Sequence, residues 1–241
     1  EKWLSAAEIA KLESELEEAK KAGPSKLSQF IDGLYLKASD ASHSDDSSRA
    51  VYYFDKLVTL KPEDEFVKRK YVVELIKVGE IEQAMEVVSE VYQLSRHKDD
   101  TAGLLYAGLL SALNKHEQAI STYREIMKDH PKSEDSCLYL CKTQIDLKNM
   151  TEAKKEVEAC QKKFSKNPVF PYYKGKIALK ENNENKAMEH FQQALKIDPD
   201  YYQASIGIGL IYENQEKFEK AETIYREYLN LDPNNFTILS R

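Results

Sequence analysis

Apolar positions recur along this chain with a fixed, long period. The stretch "YYKGKIALKENNENKAMEHFQQALKIDP" and the later "YYQASIGIGLIYENQEKFEKAETIYREYLNLDP" place large, small and polar residues in nearly the same order. Aligned on Ala187 and Ala221, they lie 34 residues apart. The register runs back through Ala153, Ala119, Ala84 and Ala50 in steps of 34 or 35 residues. Four residues after each alanine stands a large or branched apolar residue: Phe54, Val88, Tyr123, Val157, Phe191 and Tyr225. Twelve before it stands a smaller one: Ala38, Val72, Ala107, Cys141, Gly175 and Gly209. Pro62, Pro131, Pro199 and Pro233 follow four of the six alanines by twelve residues, and Arg96 and Ser165 fill the other two places. A different pattern opens the chain. Ile9, Leu12 and Leu16 make one apolar stripe, Ser5 and Glu8 fit a capping box, and Leu4 and Ile9 fit a hydrophobic staple. They predict an amphipathic helix over residues 1–22 that ends at "AGPSK".

A period of 34 residues with these positions resembles the tetratricopeptide repeat. The resemblance covers most of the chain, from about Ile31 to Pro233. It implies an all-α fold: a right-handed superhelical solenoid of antiparallel helix pairs. In that fold the small residue and the alanine sit where the two helices of a pair cross, and the aromatic fills the space beside the crossing. Proline ends the unit because it cannot donate to a continuing helix and restricts the residue before it. Neighbouring copies are needed because one helix pair cannot bury its own apolar face.

Three segments follow: a capping helix at 1–22, a solenoid of about six repeats at 26–235, and the start of a further helix or a truncated repeat at 236–241. The abrupt last segment reads as a fragment of a longer protein. The polar stretch "SDASHSDDSS" in the first repeat is expected to form a mobile loop ending in a helix cap at or near Ser47.

Composition narrows the function classes. Charged residues make up 32% and the net charge is −6. That argues against general nucleic-acid binding, which needs clustered Lys and Arg. No apolar run approaches the roughly 20 residues that span a bilayer, so direct membrane insertion is not expected. Three cysteines do not suggest a disulfide framework, and a reducing, cytoplasmic setting is the expectation.

Candidate chemistry is sparse. The five histidines show no metal-ligand spacing, and His116 reads as packing. Cys137 and Cys141 are one helical turn apart, but Cys141 and Cys160 occupy places that favour small residues, so buried packing is expected. "GIGLIY" lacks the third glycine of a dinucleotide loop and lies inside a predicted helix. Catalytic residues, metal and cofactor are all expected to be absent.

The resemblance places ligands in a concave groove lined by the first helix of each pair. Counting back from the alanines gives a groove of Phe66, Arg69, Val73, Leu104, Leu138, Lys142, Tyr172, Lys176, Ile206 and Leu210. Ile145 and Leu179 are equally consistent with groove and core. Replacing Tyr172 by Ala is expected to weaken binding and leave the fold intact. The family's basic-and-asparagine clamp for chaperone C-termini is not present as a set. The expected partner is another protein, supplying an apolar or amphipathic segment with some acidic residues. The chain then acts as a scaffold or adaptor. Two rivals stand beside it: a structural segment of a larger assembly that binds or self-associates through its ends or convex face, and the targeting region of a longer enzyme.

Overall fold

The computed structural model describes residues 4–231 and 234. The expected last segment, 236–241, lies outside the described residues. Among the described residues there are thirteen α-helices and no strand. They fall into two compact units, residues 1–130 and 131–241.

Unit 1 contains α1 (Ala6–Ala22), α2 (Pro24–His43), α3 (Ser47–Leu60), α4 (Glu65–Lys77), α5 (Ile81–Leu94), α6 (Asp100–Ala112) and α7 (His116–Asp129). Unit 2 contains α8 (Glu134–Asp146), α9 (Met150–Lys163), α10 (Val169–Lys180), α11 (Glu184–Ile197), α12 (Tyr202–Asn214) and α13 (Phe218–Leu231). Within each unit every helix packs on the next, so each is a short helical solenoid.

All six periodic alanines are buried, five of them with no exposed surface. So are Phe54, Val88, Tyr123, Val157, Phe191 and Tyr225. The small partners Ala38, Val72, Ala107 and Cys141 are at most 1% exposed. Small residues at these crossings allow close backbone approach, and the aromatic and branched side chains fill the remaining space.

The turns inside the pairs are nearly identical. Five residues before each alanine the backbone is left-handed: Asp45, Gly79, Asn114, Lys148, Asn182 and Glu216. The next residue donates its N–H to the carbonyl five residues earlier, as in Asp46 to Ala41 (2.9 Å), Lys115 to Leu110 (2.8 Å) and Lys217 to Tyr212 (2.8 Å). This Schellman closure satisfies carbonyls that the first helix leaves open. Between α5 and α6, where Arg96 replaces the expected proline, the chain breaks differently. Arg96 and His97 both take positive φ, and the His97 ring stacks on Tyr92 at 4.4 Å.

The expected mobile loop in "SDASHSDDSS" is mostly helix. α2 continues to His43 and only residues 44–46 connect it to α3. Ile31, Leu34, Ala38 and Ala41 form one buried stripe, which carries the helix through the polar stretch. Asp46 caps α3, its side chain accepting from Arg49 N at 3.1 Å.

α1 packs on α2 and buries Leu12 and Ala19. Its capping box is complete: Glu8 N donates to Ser5 Oγ, and Ser5 N donates to Glu8 Oε2 at 3.0 Å. Glu8 also accepts from Arg49 on α3 at 2.6 Å.

Candidate functional site

The ten residues expected in the groove divide between the units. Phe66, Arg69 and Val73 share one side of α4, and Leu104 lies on α6, all in unit 1. Leu138 and Lys142 on α8, Tyr172 and Lys176 on α10, and Ile206 and Leu210 on α12 belong to unit 2.

In unit 1, Phe66 is 56% exposed and Val73 48%. The Tyr35 ring lies 6.2 Å from that of Phe66, and Lys70 Nζ stands 5.6 Å above it. Leu104 differs, being half-buried and packed on the core. Arg69 already has partners: Glu65 at 3.8 Å and Asp99. Asp99 is the N-cap of α6, accepting from Ala102 N, so Arg69 ties α4 to the start of α6.

In unit 2, α8 and α12 both pack on α10. Leu138, Ile206 and Leu210 are half-buried. Lys142 is paired along its own helix with Asp146 at 2.8 Å. Lys176 stands 5.8 Å above the Tyr172 ring. Tyr172 also packs on Phe191 at 5.8 Å and edge-on to Tyr201 at 5.5 Å, and burial raises the pKa of its hydroxyl. Truncating it would therefore loosen unit 2 as well as change its surface. Ile145 is 1% exposed and belongs to the core, whereas Leu179 is half-buried against the cluster around Phe191.

Sequence reasoning missed the buried polar groups. Lys68 is 3% exposed and pairs with Glu90. Its equivalents in the other repeats are Leu34, Gly103, Cys137, Pro171 and Ser205, all buried, so the period itself marked the place. The Tyr71 hydroxyl donates to Asp55 (2.9 Å) and accepts from Gln83 (2.8 Å). Glu74 is 2% exposed and accepts from Ser42 at 2.6 Å and Lys77 at 3.0 Å. Burial opposes its charge, yet the hydrogen bonds from Ser42, Ser47 and Lys77 hold its pKa below the ordinary value.

The cysteines also depart from expectation. Cys137 on α8 and Cys160 on α9 form a disulfide with Cα atoms 5.8 Å apart. Cys141 stays a free, buried thiol 3.8 Å from Cys160 Sγ, and burial pushes its pKa up to about 12. Sequence spacing did not bring α8 and α9 side chains together, whereas the helix pair does. The expectation that the cysteines pack without a disulfide is thereby corrected, while all three remain buried as expected.

Among the described residues no group of three His, Cys, Asp or Glu side chains is placed to hold a metal, and no helix is long and apolar enough to cross a membrane.

A tetratricopeptide repeat family model matches residues 178–239, and another matches residues 101–133. The chain is 27% identical over 109 residues to a DnaJ homolog subfamily C member 7 homolog of Dictyostelium discoideum, covering 40% of this chain and 20% of that protein. It is 27% identical over 127 residues to the BBSome complex member BBS4 of Bos taurus, covering 53% of this chain and 24% of that one. The chain thus spans about a fifth to a quarter of these relatives' length. Among solved structures it resembles a tetratricopeptide repeat protein from Parabacteroides merdae, with TM-score 0.66 at 14% identity over 83% of this chain and 79% of that one.

Proposed function

We propose that this chain, a member of the tetratricopeptide-repeat family, captures an apolar or amphipathic segment of another protein on the first helices of its repeats. A protein-interaction scaffold is the general role that the fold supports. The observation that carries the finer reading is the pair Phe66 and Val73. Large apolar side chains 56% and 48% exposed on one helix face leave apolar surface in water, and a partner would relieve that cost.

The acidic character of the partner narrows to one unit. Arg69 and Lys142 are already paired within the chain. Lys176, above Tyr172, has no carboxylate partner among the described residues. It is the groove cation available to a negative group, and Leu138, Ile206 and Leu210 offer apolar contact beside it. A segment held on unit 2 would therefore be apolar with an acidic residue opposite Lys176, whereas one held on unit 1 would meet Phe66 and Val73.

The test is affinity capture followed by direct titration of the recovered partner. Three proteins of matched helicity are compared: the wild type, Phe66→Asp/Val73→Asp, and Lys176→Glu. The first variant is expected to lose binding, and the second to weaken it about tenfold, in line with loss of one charge-assisted contact. A partner held equally by all three would overturn groove capture and favour binding through the other faces, as in a structural subunit.

A further inference from the structure

A second polar site lies in unit 2, on the side of α10 away from Tyr172 and Lys176. Residues two apart on a helix point roughly 200° apart, so Lys174 faces away from both neighbours. There α9, α10 and α11 enclose a recess of about 200 Å³. Its floor is Ile177 and Ala178, both buried, and its walls are mostly charged.

The charges in the recess do not cancel. Lys154 pairs with Glu181 at 2.6 Å, and Glu158 pairs with Lys162 at 3.5 Å. Both wall carboxylates are thereby engaged. Half-buried Lys174 and exposed Lys186 have no carboxylate partner among the described residues. Beside them stands half-buried His190, hydrogen-bonded to Gln193 and near Glu189. Burial first, and then the Lys174 and Lys186 charges, hold its pKa below the ordinary histidine value, against the opposing pull of Gln193 and Glu189.

We infer that Lys174, Lys186 and His190 form a binding site for a phosphate group. Two ammonium groups and one imidazole N–H come from two helices over an apolar floor. They offer donors to a tetrahedral oxyanion, whereas a planar carboxylate has only two oxygens to place. The Lys174 and Lys186 charges oppose protonation of half-buried His190, and a bound phosphate anion offsets that opposition. The phosphate is either free or carried on a phosphorylated side chain, and the chemistry of the site is the same for both.

The experiment follows the Cε1 protons of the histidines by NMR across pH in the whole chain, with His190 assigned by its loss in His190→Gln. Inorganic phosphate is compared with chloride and with acetate at equal ionic strength. By linkage, threefold tighter binding to the charged ring raises its midpoint by about half a pH unit. Phosphate is expected to raise the His190 midpoint by that amount or more and to leave the other four histidines close to their chloride values. In Lys174→Met/Lys186→Met, checked for unchanged helicity, the midpoint is expected to start higher, with the repulsion gone, and to respond no more to phosphate than to chloride. A phosphoserine peptide that moves the midpoint at lower concentration than inorganic phosphate assigns the group to a protein. A response to inorganic phosphate alone assigns it to the free ion, and both results uphold the site. A phosphate response no larger than that to chloride, one equalled by acetate, or one that survives in the double lysine variant would overturn it.

Discussion

Gly175 on α10 lies so close to Phe191 on α11 that an added Cβ would fall 2.6 Å from the ring's Cδ1. Gly207 on α12 closes on the same ring from the other side, where a Cβ would fall 2.6 Å from Cε2. In an exposed helix, replacing glycine by alanine stabilises by roughly 1 kcal/mol. Here overpacking opposes that gain, at a typical cost of about 1–3 kcal/mol. Gly207→Ala is expected to lower the unfolding midpoint. Gly108→Ala, in the exposed interior of α6 with nothing within 4 Å, is expected to raise it. Urea titrations showing the same sign for both would refute the packing argument.

The left-handed turn positions make a second prediction. Lys148 and Glu216 hold φ of 60° and 57°, where a side chain is disfavoured and glycine is not. Lys148→Gly is expected to stabilise by up to about 1 kcal/mol, although glycine elsewhere in these helices destabilises. Thermal unfolding at two scan rates gives the sign.

Lys68 and Glu90 provide a test of burial against charge. Glu90 is 58% exposed, so solvent screens the pair and its Coulomb gain is small. Glu90→Gln leaves a buried ammonium without its carboxylate and is expected to cost about 1–2 kcal/mol, a discounted share of what breaking a fully buried pair costs. Lys68→Met replaces the ammonium by an apolar chain of similar length and is expected to be neutral or stabilising. Equal losses from both variants would mean that the pair itself is a net source of stability.

The disulfide joins residues 23 apart in sequence. Closing a loop of that length stabilises by about 3 kcal/mol in the chain-entropy description. Non-reducing peptide mapping is expected to recover Cys137 linked to Cys160, and a phosphine reductant to lower the unfolding midpoint. Three titratable thiols in the unfolded, unreduced protein would show that the bond does not form.

The cap of α1 is set by acid. Glu8 accepts from the Ser5 side chain and backbone and then from Arg49, and together these hold its pKa near 2, below the ordinary 4.5. A carboxylate with a depressed folded pKa stabilises fully above its unfolded pKa, and that contribution is lost as pH falls through the folded one. The α1 cap is thus expected to weaken between about pH 4.5 and pH 2. Carboxyl-carbon NMR reads the midpoint directly, and Arg49→Gln is expected to move it upward. An unmoved midpoint would leave Ser5 as the sole cause.

The sequence by itself determined the repeat. One alanine, one small residue and one large apolar residue recur at fixed spacing, the resemblance they carry implies a helix crossing, and each of those positions is buried. Period and burial follow from the chain because close packing tolerates few side chains at a crossing. Other features were out of reach. The polar "SDASHSDDSS" gave no local sign that Ala38 and Ala41 would hold it in a helix, since propensity yields to a buried face. Arg69, Lys142 and Tyr172 carried the right chemistry for a groove, but whether a charge is free or spent depends on what faces it. Asp99, Asp146 and Phe191 lie 30, 4 and 19 residues away along the chain. Cys137 met Cys160 for the same reason. The period fixes which helices neighbour each other, whereas pairing of polar side chains is decided by distances of a few ångströms that only the packed helices set.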